Sequence, residues 1–412
     1  MKIGIASKSF DGWGGGIDFI RHITAAIEAA DPENRLQKHL LLSSNDMLFY
    51  FKKNLQPYRS LLRMIRHKEK LRWQPWKGFD EQYLRQTFSD LHDTILEFPG
   101  SSFQSHLRFA EIQKLDVILP CIAPPMESFR LPWVGYLYDF QHKYFPEFFS
   151  KREIIRRDHA FGEMLQRASH VIVNARTVQQ DADQFIGKYS AKIHVLPFSP
   201  CPQESWLNEQ RDMTKPYHIT KPYFIICNQF WMHKDHATTF KAFAEFLKLA
   251  DKNYQLVCTG DTSDARFPDY FRKLLGLLDD LHIAENVKIL GHIPKLEQIA
   301  LLKKSIAVIQ PTLFEGGPGG GIAHDAVSLG VPLIISDIPV NLEINMNTNE
   351  RVFFFPAQDV QKLTESMQEV SQQEYTPIPN EILKAKGLAR KKACGEVLLD
   401  VISQAIYRKS IS

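Results

Sequence analysis

The sequence predicts an α/β protein made of two doubly wound domains. In each half of the chain, a short apolar strand runs into a glycine-rich turn and then into a helical pattern. The first case is Lys2–Ala6 followed by WGGG, and the second is residues 306–309 followed by FEGGPGGG. A further apolar run, Leu333–Ser336, follows the second helix, and this order of elements is that of a parallel crossover unit. Residues 199–222, rich in proline and polar side chains, have the composition of an interdomain linker.

The composition is that of a globular protein. Of the 412 residues, 44% are hydrophobic and 24% are charged, and the formal net charge is +3. The five cysteines are scattered and form no CxxC pair, which favours a reducing compartment over a disulfide framework or a zinc site. The N-terminal apolar run is too short for a signal peptide, and no run approaches the length of a transmembrane helix. We therefore expect a cytoplasmic protein.

The first half of the chain shows alternating strands and helices. The pattern predicts strands at Lys2–Ala6 and at residues 40–43, 117–120, 133–138, 170–174 and 193–197. It predicts helices at residues 17–30, at residues 152–168 and within residues 174–185, with Thr177 as the N-cap of the last. Residues 46–104 are irregular and give no clear pattern.

The second half repeats this alternation. Strands are expected at Tyr223–Cys227, at Leu333–Ser336 and at residues 255–260, 287–290, 306–309 and 351–355. Helices are expected at residues 238–250, 269–281, 295–303, 322–329 and 396–407.

The glycine-rich turn of the second half carries the clearest chemistry. Glu315 stands at the carboxyl end of its strand, where open α/β sheets bind ligands. Glycines allow backbone N–H groups to approach an anion, and the helix start adds further unpaired N–H groups, so a diphosphate fits there. Asp325, in the helix, can accept hydrogen bonds from ligand hydroxyls. The glycines concerned are Gly316, Gly317, Gly319, Gly320 and Gly321. Glycines alone are equally typical of a surface loop before a helix.

This stretch resembles the signature of the retaining glycosyltransferases of the GT-B fold, the large fourth family. FEGG, AHDA, LGVP and IISDIP occur in the family's order, although the loop between the two carboxylates is longer here and Asp325 replaces a glutamate. The resemblance implies two Rossmann-like domains facing a cleft that binds a nucleotide-sugar donor. It implies that Glu315 holds hydroxyls of the donor sugar and that Asp325 holds the ribose.

The resemblance extends to other donor-binding residues. Lys234, in NQFWMHKDH, matches a lysine that meets the donor diphosphate, whereas Gln229 stands where the family has arginine. The turn GHIP implies that the backbone near Ile293 contacts the nucleobase. Gly15 and Gly16, in WGGG, would face the donor diphosphate or the acceptor; a tight turn without a ligand is the alternative reading of these two glycines.

The run DFQHKYFPEFFS resembles a phrase from one branch of the same family. It follows a strand of the N-terminal half, where the family places groups that face the donor sugar. The resemblance implies that His142 or Asp139 reaches that sugar from the opposite domain. The alternative is that His142 is a loop histidine satisfied by local hydrogen bonds.

No metal or other cofactor is expected. The run Asp181-Ala182-Asp183 imitates the metal-holding Asp-x-Asp motif of other glycosyltransferases. In a helical pattern the two carboxylates would diverge by roughly 200°, so we interpret them as a solvated helix face. Lys234 and the amides of the glycine turn would carry the charge of the leaving diphosphate.

Residues 51–77 combine nine Lys or Arg residues with leucines, isoleucine and tryptophans at helical spacing. This composition is typical of a helix that lies on an anionic membrane surface, at the inner face of the cytoplasmic membrane. A core-packed helix with a basic solvated face is an alternative, and a nucleic-acid patch is a weaker one, because no other basic or aromatic element supports nucleic acid.

These observations predict residues 1–205 as an acceptor-side domain, 206–221 as a linker, 222–390 as a nucleotide-sugar-binding domain, and 391–412 as a helix that crosses back. The function implied is retaining transfer of a sugar from a nucleotide-sugar donor to a hydroxyl of a saccharide or lipid-linked acceptor, in bacterial surface polysaccharide or lipopolysaccharide synthesis. The alternatives are a non-catalytic sugar-nucleotide-binding protein, or another GT-B enzyme such as an epimerase or phosphorylase.

Overall fold

Two parallel β-sheets, each with helices packed against it, form the framework of the molecule. The structure, a computed structural model, describes residues 1–8, 10, 14–44, 55, 81–91, 93–250, 253–264, 266–344 and 351–409. Within these ranges one sheet has seven strands and the other has six, and the strands of each sheet pair in parallel. The predicted α/β class with two doubly wound units is therefore confirmed.

The N-terminal sheet has the order β3-β2-β1-β4-β5-β6-β7. Its strands are β1 Lys2–Ala6, β2 Gln37–Ser43, β3 Thr94–Gly100, β4 Val117–Cys121, β5 Trp133–Tyr136, β6 His170–Val173 and β7 Lys192–Val195. Strand β3 was not predicted, because this edge strand is mostly half-buried and contains a proline, so it lacks the fully apolar pattern of a central strand.

Helices connect these strands. They are α1 Gly14–Ala30, α2 Glu81–Thr87, α3 Phe103–Ile112, α4 Gln141–Tyr144, α5 Lys151–Arg167 and α6 Arg176–Phe185, with a 3-10 turn at Pro146–Phe148. Helix α5 begins with a capping box in which the Ser150 hydroxyl accepts from the Glu153 N–H at 3.3 Å, and the Glu153 carboxylate accepts from the Ser150 N–H at 3.0 Å.

The C-terminal sheet has the order β10-β9-β8-β11-β12-β13. Its strands are β8 Tyr223–Cys227, β9 Gln255–Thr259, β10 Val287–Gly291, β11 Val308–Gln310, β12 Leu333–Ser336 and β13 Val352–Phe355. The helices from the linker onward are α7 Glu204–Leu207, α8 His236–Leu249, α9 Tyr270–Asp280, α10 Lys295–Lys304, α11 Gly320–Leu329, α12 Pro339–Leu342, α13 Val360–Gln372 and α14 Asn380–Lys409, with 3-10 turns at Met232–Lys234 and Ala284–Asn286.

The last helix, α14, joins the two domains. It packs along α1, and its residues Cys394, Leu398 and Ile402 belong to the hydrophobic core of the N-terminal domain. A Cβ at Gly395 would lie only 1.9 Å from the Ala26 carbonyl oxygen, so glycine is needed for this close approach. The predicted boundary at residue 390 falls inside α14, because the helix starts at Asn380 rather than at residue 396.

Each sheet has one point at which the strand order reverses. In the C-terminal sheet it lies between β8 and β11, and in the N-terminal sheet between β1 and β4. Ligands of open α/β sheets bind outside the carboxyl ends of the strands at such points. The loops that follow β8 and β11 therefore mark where a ligand is expected.

Candidate functional site

The glycine-rich loop after β11 occupies the reversal point of the C-terminal sheet. Gly319 and Gly320 have φ values of +61° and +62°, which only glycine adopts without strain. A Cβ on Gly320 would lie 3.1 Å from Oε2 of Glu315, so the carboxylate lies directly over this turn. The loop thus folds back over its own helix start and holds Glu315 close to it.

Two neighbouring glycines of this loop, Gly316 and Gly317, keep their N–H groups free among the described residues. Within the described residues, the N–H groups of Gly316 and Gly317 donate to no partner, and both residues are half-buried. The Gly319 N–H instead donates to Oδ1 of Asn341 at 2.9 Å, and the Gly320 N–H donates to the Gly317 carbonyl at 3.3 Å. An anion at this loop would therefore meet the N–H groups of Gly316 and Gly317.

Glu315 and Lys234 form a shielded ion pair at the base of the loop. The Lys234 ammonium donates to Oε1 of Glu315, and their side chains are only 9% and 11% exposed. Oε1 also accepts from Nε2 of Gln310 at 3.1 Å, and Gln310 is itself fully buried. The sequence placed Glu315 and Lys234 in one site but gave no sign that they pair, because 81 residues separate them.

The turn that carries Lys234 is held by its neighbours. Asp235 has φ +46° and caps α8 through a hydrogen bond from the Thr238 N–H at 3.4 Å. Burial lowers the pKa of His233 to about 2, and the charges of Lys234 and Arg266 add to the effect, so His233 is neutral. Gln229 is exposed, so the predicted replacement of the family arginine leaves no cation at this position.

Asp325 lies deeper in the cleft and is paired with Lys295. Burial raises the pKa of Asp325, and the Lys295 ammonium, which donates to Oδ2, opposes that rise. The same ammonium lies 5.1 Å from the ring of Trp206. Ile293, two residues before Lys295, is buried in the core of the C-terminal domain. Asp18, on α1 of the opposite domain, interacts electrostatically with both charges of the pair.

Asp139 approaches the glycine loop from the N-terminal domain. A Cβ on Gly316 would lie 3.1 Å from the Asp139 Cβ and 3.5 Å from its Oδ2, so the two domains touch here. Oδ1 accepts from the Gln141 N–H at 3.0 Å and lies 3.7 Å from Nη1 of Arg157. Burial raises the pKa of Asp139; the Gln141 N–H and the Arg157 guanidinium lower it, and Glu315 raises it further.

His142 lies behind Asp139 with its side chain fully buried. Its Nε2 lies 2.9 Å from Oδ1 of Asp158, and Lys143 donates to Oδ2 of the same carboxylate at 2.7 Å. Burial lowers the pKa of His142, and Asp158 opposes this effect. The Nδ1 atom has no hydrogen-bond partner in the described part of the chain. A contact between His142 and a donor sugar stays a prediction.

Asn174 is a cleft residue that sequence reasoning missed. A Cβ on Gly317 would lie 3.1 Å from the Asn174 Cβ, and Nδ2 of Asn174 donates to the Tyr136 hydroxyl at 2.7 Å. The Tyr136 ring stacks on Phe19 with 4.6 Å between ring centroids. Only the position directly after a buried strand could have pointed to Asn174.

Gly15 and Gly16 lie in the first turn of α1. Gly15 is exposed and Gly16 is buried. Farther along α1, the His22 ring lies 5.9 Å from that of His324 in α11. Helix α1 therefore faces the helix that follows the glycine loop. Residues 11–13, which complete the predicted turn, lie outside the described residues.

A second interdomain contact was also missed. The Glu343 carboxylate, just after α12, accepts hydrogen bonds from the Arg176 N–H at 2.8 Å and from the Thr177 N–H and hydroxyl at 2.8 and 2.7 Å. Val340 in α12 packs into a hydrophobic cluster of the N-terminal domain. The predicted cap at Thr177 was wrong: α6 has Ala175 as N-cap, and Glu343 from the other domain satisfies its first N–H groups.

The Asp181 and Asp183 pair does not form a solvated face as predicted. Asp181 is buried and accepts a hydrogen bond from the Tyr144 hydroxyl, whereas Asp183 lies farther out and accepts from Tyr189. The prediction failed because Tyr144, the last residue of α4, donates its hydroxyl hydrogen bond to Asp181 and covers that side of α6. Among the described residues, no group of three or more His, Cys, Asp or Glu side chains is arranged to hold a metal ion.

No helix in the described ranges is both long enough and apolar enough to cross a membrane. The proposed membrane-binding segment, residues 51–77, lies outside the described residues except for residue 55.

Comparisons with known proteins bear on this geometry. Residues 210–387 match the family model described as glycosyl transferases group 1. The chain is 23% identical over 211 residues to the O-antigen chain mannosyltransferase RfbU of Salmonella typhimurium, a match that covers 51% of this chain and 54% of RfbU. The chain thus spans about half the length of the curated relative that it matches.

Similarity to solved structures covers both domains. Sucrose-phosphate synthase from Thermosynechococcus elongatus is similar with a TM-score of 0.59 at 15% identity, covering 99% of this chain and 97% of that chain. Anabaena HepE, solved in complex with UDP, gives a TM-score of 0.57 at 15% identity, with both chains covered in full at 100%. Similarity at this identity concerns the fold, and it confirms the predicted GT-B arrangement of two Rossmann-like domains.

Proposed function

We propose, because residues 210–387 match the family model of group 1 glycosyl transferases, that the cleft of this protein transfers a sugar from a nucleotide-sugar donor to a hydroxyl of a saccharide or lipid-linked acceptor. The observation that carries this proposal is the juxtaposition of Lys234, Glu315 and the free N–H groups of Gly316 and Gly317 at the reversal point of the C-terminal sheet. This set offers an ammonium and two oriented N–H groups to an anion, with a carboxylate beside them for sugar hydroxyls.

The leaving diphosphate would be bound by the N–H groups of Gly316 and Gly317 and by Lys234. Donors fixed before the reaction stabilise the negative charge that develops on the leaving group without reorganisation. Lys234 would have to exchange its bond with Glu315 for a phosphate oxygen, which would free Glu315 for hydroxyls of the donor sugar. No metal is required in this scheme, because the lysine and the amides carry the charge.

The nucleoside would occupy the side of the cleft where Ile293 and Asp325 lie. Asp325 would hold the ribose, and the backbone at Ile293 would contact the base. On the opposite wall, Asp139 would approach the sugar with His142 behind it, and Gly15 and Gly16 would face the donor diphosphate or the acceptor. Contact between the two domains would exclude water and limit hydrolysis of the donor.

We propose that the transferred sugar keeps its anomeric configuration, because residues 310–341 resemble the signature of retaining enzymes. Bacterial surface polysaccharide or lipopolysaccharide synthesis is the setting that we propose, because RfbU is an O-antigen chain mannosyltransferase. Proton NMR of the product at early times tests the stereochemistry: the product is expected to keep the donor's anomeric configuration, and the opposite configuration would contradict the proposal.

The function is tested by incubating the full chain with a panel of sugar nucleotides and measuring release of the nucleoside diphosphate, with and without saccharide acceptors. We expect slow release from one donor alone and faster release when an acceptor is added. The Glu315→Ala variant serves as the low-activity control. Binding of a sugar nucleotide without any release would instead indicate a non-catalytic binding protein, and a changed sugar without transfer would indicate an epimerase.

Attachment to an anionic membrane surface through residues 51–77 is the second part of the proposal, since each basic side chain near such a surface contributes about 1 kcal/mol. In liposome co-sedimentation, binding should require anionic lipid, weaken with salt and fall when four basic residues become glutamate: Arg63, Arg66, Lys70 and Arg72. A matched control changes four exposed cations elsewhere: Arg108, Lys114, Arg130 and Lys188. If the wild type stays in the supernatant at low salt with anionic vesicles, this part is wrong.

A further inference from the structure

Two carboxylates stand beside the free N–H groups of the glycine loop. Glu315 comes from the loop itself and Asp139 from the opposite domain, with Oδ2 of Asp139 3.5 Å from where a Gly316 Cβ would lie. Both would repel a bound diphosphate unless their charges are balanced. Lys234 balances Glu315 within the C-terminal domain. The positive charge that compensates the Asp139 carboxylate must come from another residue, because Gln229, which is exposed, carries no charge.

Arg157, in the second turn of α5, stands next to Asp139. Its Nη1 atom lies 3.7 Å from Oδ1 of Asp139, and the side chains of both residues are 23% exposed. At that separation the two form an ion pair without a hydrogen bond. Nη1 is buried and makes no hydrogen bond within the described residues. A guanidinium in this position can balance the Asp139 charge while leaving Oδ2 directed at the glycine loop.

Two aromatic rings fix the position of the Arg157 guanidinium. Its central carbon lies 4.5 Å from the Phe149 ring centroid and 5.4 Å from the Tyr138 ring centroid. Both distances are within the range of cation–π attraction. Tyr138 directly precedes Asp139, and its carbonyl oxygen would lie 2.6 Å from a Gly316 Cβ. The arginine is therefore anchored to the backbone segment that touches the glycine loop.

We propose that Arg157 is a positioning residue of the donor site, which balances the charge of Asp139 so that a diphosphate can bind the N–H groups of Gly316 and Gly317. This inference rests on the proposed function, since it presupposes a nucleoside diphosphate in the cleft. Arg157, on α5 of the N-terminal domain, would then provide positive charge near the diphosphate, which the uncharged Gln229 cannot provide.

The test is calorimetric binding of UDP and GDP, and of uridine and guanosine, to the full chain. For the nucleoside diphosphate that the wild type binds, Arg157→Gln should weaken binding about tenfold to hundredfold, because an unbalanced carboxylate then faces the diphosphate. Affinity for the matching nucleoside should stay within about twofold, since the nucleoside carries no phosphate. The double variant Arg157→Gln/Asp139→Asn should recover most of the lost affinity.

Arg156→Gln is the matched control, because Arg156 is the exposed neighbour on the same helix and the change in net charge is identical. It should leave both affinities unchanged. Arg157→Met, which retains the apolar stem between the rings, should weaken diphosphate binding as Arg157→Gln does, and thermal melts of every variant show whether the fold is intact.

The inference is overturned if Arg157→Gln binds the diphosphate as the wild type does, or weakens nucleoside and diphosphate equally, as a structural role would. It is also overturned if Asp139→Asn restores nothing in the double variant. These failures differ from a failure of the proposed function, in which the wild type itself binds neither UDP nor GDP.

Discussion

The pair of Lys234 and Glu315 is the most constrained feature of the site at the scale of single residues. Each side chain is about one-tenth exposed and makes its ionic contact with the other. Removing one partner of such a pair leaves a shielded charge without compensation, which commonly destabilises more than the pair itself contributes. Both the stability and the activity of variants at these positions must therefore be measured.

Glu315→Ala is expected to lower the transfer rate about a hundredfold or more, because it removes a contact to the donor sugar in the transition state. Initial rates at saturating donor measure this effect. Glu315→Gln, which preserves shape and hydrogen bonding to Gln310, separates loss of charge from loss of packing. A rate within about threefold of the wild type for both variants would remove Glu315 from the mechanism.

Lys234→Ala is expected to weaken binding of the nucleoside diphosphate, and added magnesium should not restore it, because no metal replaces the ammonium in the proposed scheme. Calorimetry with and without magnesium measures the effect. The exposed Lys241, on α8, gives the control Lys241→Ala. Unchanged affinity of Lys234→Ala for the nucleoside diphosphate would contradict the role of Lys234. Loss of wild-type activity in EDTA would contradict the metal-independent scheme.

At the scale of elements, helix α6 depends on a residue of the other domain. The first N–H groups of a helix need acceptors, and here the Glu343 carboxylate supplies them at 2.8 Å. The adjacent Asn341 binds the Gly319 N–H at 2.9 Å. The short segment of α12 and Glu343 therefore contacts both the N-terminal domain and the glycine loop.

Glu343→Ala is expected to lower the free energy of unfolding by about 1–3 kcal/mol, because three donors of α6 lose a buried acceptor. Urea titration followed by circular dichroism gives the value, and Glu343→Gln should show a smaller loss. Glu374→Gln, at an exposed position, is the control. If Glu343→Ala unfolds at the same urea concentration as the control, the cap does not contribute to stability.

At the scale of the whole molecule, the two domains meet through α1, α11 and α14. His22 of α1 lies 5.9 Å from His324 of α11 between ring centroids, and it lies 2.9 Å from the Ser199 hydroxyl. Burial lowers the pKa of His22 to about 3, with His324 and Lys391 adding to it. Burial lowers the pKa of His324 to about 4. The charges of Arg390 and Lys295 also lower this pKa, whereas the hydrogen bond with the Gly320 carbonyl raises it.

These shifts predict that the molecule loses stability in mild acid. The unfolded chain takes up protons on histidine below about pH 6.5, whereas His22 and His324 stay neutral in the fold until about pH 3–4. The free energy of unfolding should therefore fall as the pH drops from about 6.5 towards 4. Urea titrations at several pH values give the slope.

His324→Gln should reduce the change in the free energy of unfolding per pH unit by up to the equivalent of about one bound proton. His159→Gln, at an exposed position, should leave this pH dependence unchanged. Buried carboxylates such as Asp139, whose pKa is raised by burial, contribute with the opposite sign, so the comparison between the two variants isolates the histidine contribution. Equal slopes in both variants would contradict the prediction.

Sequence patterns were sufficient to predict most elements of this protein and the part of the site that is local in the chain. Apolar runs bounded by glycine and proline located twelve of the thirteen strands that the described residues form, because central parallel strands are buried on both faces. The glycine loop with Glu315 and the turn with Lys234 were identified because each follows directly on such a strand, where the backbone alone directs them to one edge of the sheet.

The contacts between side chains across the cleft could not be predicted from sequence patterns. The pairing of Lys234 with Glu315, the approach of Asp139 to Gly316 and the cap that Glu343 places on α6 each join segments far apart in sequence. Such contacts depend on how two separately folded sheets are oriented and packed. No periodicity or spacing in the chain specifies that orientation, so these contacts follow from the packing of the domains and of α14 across them.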